Sequence, residues 1–175
     1  LGLPYDWVEV SVLKAETRTP EFLAMNPVGQ VPVVRFAENG VLAQSNAIML
    51  HLAQNTDLIP TDAFERALMF QWLFWEQYSH ETAIAVLRFH KFYLKKTDDQ
   101  IDPALPGKCA KVLGLMNSHL EGRKYFVGSK LSLADIALVA YTRFSHQAGI
   151  DLGQYPNVRA WVRRIEDELK IEHAQ

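Results

Sequence analysis

The sequence predicts an α/β segment followed by an all-helical one, and three observations predict it. Apolar alternation with a period of two is confined to about the first third of the chain, helical spacing takes over from Phe64 onward, and the turn-rich stretch "NTDLIPTDA" at 55–63 separates the two. With 175 residues and 49% hydrophobic content, the chain is long enough to give each part its own core. The expected boundaries are 1–54 for a first domain, 55–62 for a linker and 63–175 for an all-helical domain.

The chain opens Leu1-Gly2-Leu3-Pro4-Tyr5, and glycine followed closely by proline is the punctuation that closes a helix. The expectation is that the closed helix lies in a preceding segment, either removed or outside the residues given; an intact mass near 19.9 kDa would exclude a longer chain. "WVEVSV" at 7–12 sets Trp7, Glu9 and Ser11 against Val8, Val10 and Val12 and reads as a half-buried strand. A short helix is expected from Glu21 to Met25, with Thr19 at its cap and Pro20 in its first turn, stopped by Asn26-Pro27. In "VPVVRFAENGVLAQS" the runs "VVRF" and "VLA" flank Glu38-Asn39-Gly40, which predicts an antiparallel hairpin. "SNAIMLHLAQ" predicts a helix of about ten residues with Ser45 as its cap.

Beyond the linker the spacing predicts helices over about 64–94, 104–121, 132–148 and 156–170, broken by Asp102-Pro103, Gly122, Gly128 and the Gly149-to-Pro156 stretch. From Ala67 to Tyr78 apolar side chains point to every side. One face is expected to meet the helical core and another a second surface, whether the first domain, a partner subunit or an apolar ligand.

A net charge of −2 and a pI near 6.3 give no electrostatic footprint for nucleic acid or an anionic membrane, so neither is an expected partner. The single cysteine, Cys109, precludes an intramolecular disulfide and reads as a small core residue. With no signal peptide and no apolar run of about eighteen residues, a cytoplasmic setting is expected.

Four groups of residues stand out chemically. In "MNPVGQVPVV" at 25–34, Val31-Pro32 precedes a strand although proline donates no backbone hydrogen bond; this is either an edge strand or a backbone edge held open for a ligand. Gln44-Ser45 stands where a strand hands over to a helix, a place for an N-cap or for a bound carboxylate. Ser132 and Asp135 have the spacing of a capping box, with Leu131 and Ile136 placed to staple it. Glu76 and His80 are four apart on one helix, but no second pair completes a metal site, and no metal is expected.

Taken in order, Asn26-Pro27-Val28-Gly29-Gln30-Val31-Pro32, Gln44-Ser45 and Ser132-Leu133-Ala134-Asp135 resemble the cytosolic glutathione transferases of the bacterial type. The resemblance implies a thioredoxin-like first domain, incomplete at its N-terminus, ahead of an all-helical transferase domain. It implies glutathione as co-substrate, with Pro32 cis and the Val31 backbone pairing with the cysteinyl unit as an added strand would. Gln44 and Ser45 would hold the γ-glutamyl carboxylate, and Gln30 or Lys14 the glycyl carboxylate. Trp75, Tyr78 and Arg88 would line the electrophile wall, and the box at Asp135 would serve folding.

In this family a hydroxyl or thiol between the first strand and first helix activates the glutathione thiol, whose ordinary pKa of about 8.5 leaves it mostly protonated. The sequence does not contain that residue, so no catalytic side chain is assigned. The strand that belongs with it would lie between "WVEVSV" and the hairpin, leaving backbone groups there without partners. The function implied is conjugation of the glutathione thiolate to small hydrophobic electrophiles, in detoxification, by a homodimer. The alternatives are a non-catalytic member that binds glutathione, a hydrophobe or a protein, or a glutathione-dependent isomerase, dehalogenase or peroxidase.

Overall fold

The computed structural model describes residues 1–37 and 40–174. They form two compact units, Leu1–Thr56 and Asp57–Gln175.

In the first unit, strands β1 (Val33–Phe36) and β2 (Gly40–Ala43) pair antiparallel, with Val33 opposite Ala43 and Arg35 opposite Val41. The expected turn at Glu38-Asn39 lies outside the described residues. Helix α1 (Pro20–Met25) starts as expected: Thr19 Oγ1 accepts the Phe22 N–H at 3.2 Å, and Pro20 occupies a first-turn position where no N–H is needed. Phe22 is the side chain that α1 buries.

Two expectations for this unit need correction. No strand forms over 7–12: the alternation is there, but Trp7 is 81% and Val8 77% exposed, so neither of its faces is buried. A period of two specifies which side chains would face a core, whereas a strand exists only when its backbone groups are paired, and among the described residues the sheet has two strands. Helix α2 (Ser45–Leu52) is shorter than expected and is not capped by Ser45. Gln44 occupies the cap position at φ 73°, with no side-chain cap bond, and Ser45 is the first helical residue.

In the second unit, Asp62 Oδ1 caps helix α3 (Ala63–Trp75) by accepting from Phe64 N at 3.0 Å and Glu65 N at 2.9 Å. The rod continues as a π-helix over Glu76–Ala85, one turn of α-helix, α4 (Val86–Arg88), and a second π-helical stretch over Phe89–Tyr93. The apolar period that predicted the rod does not distinguish these windings. Helices α5 (Leu105–His119), α6 (Leu133–Thr142) and α7 (Pro156–Leu169) follow. Helix α6 stops six residues short of its expected end at 148, and Ser145–Ala148 is a separate 3-10 turn. Two hydroxyls take up backbone carbonyls at that end: Thr142 Oγ1 donates to Leu138 O at 2.7 Å and Ser145 Oγ to Thr142 O at 2.6 Å.

Helix α6 packs against α3, α7 and the Glu76–Ala85 stretch, around a core that includes Met69, Ile84, Leu113, Met116, Leu138 and Trp161. The expected capping box at the start of α6 is present, and Asp135 does more than cap. Fully buried, its carboxylate accepts from Ser132 N (3.0 Å), Ser132 Oγ (2.9 Å), Phe126 N (2.9 Å) and Trp161 Nε1 (3.0 Å). Burial pushes the Asp135 carboxyl above the usual carboxylate range, and these four donors pull it back. No helix of the described residues is long and apolar enough to cross a membrane.

Candidate functional site

The loop from Asn26 to Pro32 is built around a buried asparagine. Asn26 Nδ2 donates to Gln30 O at 2.8 Å, its Oδ1 accepts the Val28 N–H at 3.2 Å, and its carbonyl accepts the Gly29 N–H at 2.9 Å. Arg18 Nη1 adds a bond to Val28 O at 3.2 Å. Gly29, at φ 69°, is fitted so closely that a Cβ there would come within 2.5 Å of Arg18 Nη1 and 3.1 Å of Thr17 O. The loop therefore has a fixed shape up to Gln30. There the bonding stops: Val31 is 45% exposed, and neither its N–H nor its C=O has a hydrogen-bond partner among the described residues. The Val31–Pro32 peptide is cis, as the resemblance implies.

Helix α2 begins after β2. The first intrahelical bond runs from Ile48 N to Gln44 O at 3.0 Å, so the Ser45 and Ala47 N–H groups have no acceptor among the described residues. Ser45 is partly exposed and Gln44 exposed, which leaves the N-terminus of α2 open to an anion. Gln30 is exposed, and Lys14, also exposed, sits in a turn held by its N–H donating to Ser11 Oγ at 3.2 Å.

The three expected wall residues are spread along the rod rather than gathered. Trp75 packs edge-on against Trp72, with ring centroids 5.1 Å apart, whereas Tyr78 is 85% exposed. Arg88 lies ten residues beyond Tyr78 among aromatic rings, with its guanidinium carbon 4.8 Å from the Phe144 centroid and 5.2 Å from that of Tyr93. Between them is a polar network. Gln77 Nε2 donates to Glu76 Oε2 and Glu81 Oε2, both at 2.7 Å, and burial, followed by the Glu76 charge, pushes the Glu81 carboxyl up. Thr142 gives its hydroxyl proton to Leu138 O, so His80 Nε2, 2.8 Å from Thr142 Oγ1, carries a proton and donates it. Glu76 Oε1 stands 3.9 Å from His80 Nδ1, and among the described residues no three His, Cys, Asp or Glu side chains are grouped to hold a metal. The buried Cys109 thiol is pushed up to about 11 by desolvation, which leaves it a poor nucleophile near neutral pH.

Reading the sequence missed the parts played by Asn26, Arg18 and Gly29. Asn26-Pro27 was legible as a helix stop, but the asparagine's grip on the next four residues depends on a buried position that spacing does not reveal.

Comparison with known proteins decides the family. Residues 1–55 match the model of the glutathione S-transferase N-terminal domain and residues 74–168 that of the C-terminal domain. Glutathione S-transferase D7 of Drosophila melanogaster is 30% identical over 169 residues, covering 93% of this chain and 73% of that protein. The chain belongs to the glutathione S-transferase family. It is an enzyme of that family, with a thioredoxin-like first domain followed by the helical transferase domain. A glutathione S-transferase from Pseudomonas fluorescens superposes with a TM-score of 0.93 at 38% identity, covering 99% of this chain and 87% of the other. A homologue from Sulfitobacter with bound glutathione gives a TM-score of 0.77 at 25% identity, covering 94% and 81%.

Proposed function

We propose that the first unit of this glutathione S-transferase holds glutathione and presents its thiolate to a small hydrophobic electrophile. The observation that carries the reading is the Val31 backbone, whose donor and acceptor are both unpartnered at the end of a tightly bonded loop. An extended cysteinyl unit has the complementary acceptor and donor, so it adds to Val31 as a strand would. The γ-glutamyl carboxylate goes to the open N-terminus of α2 at Gln44-Ser45, where unpaired N–H groups and the helix dipole stabilise negative charge. Gln30 and Lys14 are the donors proposed for the glycyl carboxylate, and Pro32 fixes the approach.

In the reaction, the thiolate attacks the electrophilic carbon, a sulfur–carbon bond forms, and a halide or similar leaving group departs with the bonding electrons. The thiol proton goes to solvent. Trp75, Tyr78 and Arg88 are the residues we assign to the electrophile wall.

We read the exposed aromatic residues of α3 as the homodimer contact, because Phe64 and Phe74 are 72% and 71% exposed on one helix. The role is detoxification in the cytoplasm.

Retention on immobilised glutathione, with conjugation of chlorodinitrobenzene, tests the transferase reading. Retention and turnover are expected; retention without turnover would leave a binding protein. For the dimer, light scattering should give twice the chain mass and Phe74→Glu should halve it; a monomeric parent protein would overturn that contact.

A further inference from the structure

We propose that Arg88 selects electrophiles that carry an anionic group, a carboxylate above all, and this rests on the reading that Arg88 belongs to the electrophile wall. Two arginines flank Phe144, with guanidinium carbons 4.8 Å (Arg88) and 4.7 Å (Arg143) from its ring centroid. Their charges are answered differently. Arg143 Nε donates to Glu166 Oε1 at 2.8 Å, a buried carboxylate that completes an ion pair. Arg88 has only neutral partners: its Nε donates to Gln147 Oε1 at 2.7 Å and its Nη2 to Tyr93 Oη at 3.3 Å. Among the described residues no carboxylate stands within ion-pair distance of Arg88.

A guanidinium carries five N–H donors in a planar fork, so at least three remain for a ligand. The rings of Phe92, Tyr93 and Phe144, at 5.7, 5.2 and 4.8 Å, hold the fork in place by cation–π attraction. The local charge points the same way. Residues 88–96, "RFHKFYLKK", contain four basic side chains and no acidic one in a chain of net charge −2. Of these, Lys91 is taken by Asp98 at 2.9 Å, while Lys95 lies over the Phe92 ring at 4.7 Å. A partly desolvated cation with no counter-charge, ringed by aromatic faces, is complementary to an aromatic carboxylate.

Binding of dinitrobenzoate and of neutral dinitrobenzene, measured by titration calorimetry on this chain without glutathione, isolates the effect. Dinitrobenzoate is expected to bind at least tenfold tighter than dinitrobenzene, with the preference shrinking as salt is raised. Arg88→Met should abolish the preference for dinitrobenzoate. Arg88→Lys keeps the charge but loses the fork and should lower the preference at least threefold, which provides a readout if the methionine variant fails to fold. Equal binding of the two probes to the parent protein, or a preference that survives in both variants, would overturn the proposal. Failure to bind glutathione would count against the proposed function alone, because the two probes are compared without it.

Discussion

The two units use their residues in opposite ways. The helical unit buries side chains such as Met69, Leu113, Leu138 and Trp161 and satisfies a buried carboxylate with four donors. Among the described residues of the first unit the buried hydrophobic ones are Phe22, Ile48 and Ala53, while Leu1, Leu3, Tyr5, Trp7, Val8, Val12 and Leu13 are exposed. What the first unit fixes is backbone, through Asn26, Arg18 and Gly29. Side-chain packing makes a stable scaffold, whereas recognition of a peptide-like ligand needs backbone groups held in place and left unpaired.

The largest expected effect is in the scaffold. Asp135→Ala leaves the Phe126 N–H and the Trp161 indole N–H buried without an acceptor, and should cost about 3 kcal/mol or more in a urea melt. An unchanged midpoint would remove the account of α6. Next comes the loop: Asn26→Ala should cost the first unit about 2 kcal/mol and weaken glutathione binding, while the unfolding midpoint of the helical unit stays put. If glutathione binds the variant as well as the parent, the loop does not position Val31.

A smaller change, Ser45→Ala, should lower glutathione affinity about threefold to tenfold by removing a hydroxyl donor, with no loss of stability beyond a few tenths of a kcal/mol, because Ser45 makes no cap bond. A large drop in the melting temperature would instead restore Ser45 as a structural cap. The mildest effect is in pH. Desolvation lowers the His119 pKa, and Nε2 bonds Phe126 O at 2.9 Å. The unfolded chain therefore takes up that proton at a higher pH than the native one, and the stability His119 contributes is present above about pH 6.5 and lost as pH falls through the window below it. His119→Gln should flatten this part of the stability curve; a curve of unchanged slope would show that His119 does not contribute.

Much of this was legible in the sequence because it is local. Thr19-Pro20 starts α1, Ser132 to Asp135 starts α6, and β1 and β2 pair in the antiparallel sense that the "VVRF" and "VLA" runs around an Asn-Gly turn predict. The misreadings are non-local. "WVEVSV" has a strand's alternation but no paired neighbour, and Ser45 has a cap's chemistry one position too late, because Gln44, at φ 73°, takes the cap position of α2. The fourfold acceptor role of Asp135 and the unanswered charge of Arg88 both involve partners more than twenty residues away, which spacing does not encode.

The central claim is that glutathione is held by backbone groups at Val31 and the start of α2. Amide chemical shifts of the chain during a glutathione titration test it directly. The account predicts that the Val31, Ser45 and Ala47 amides move together and saturably, while the Asp135 and Trp161 signals stay fixed. Saturable binding that leaves Val31 and Ser45 unmoved would contradict it.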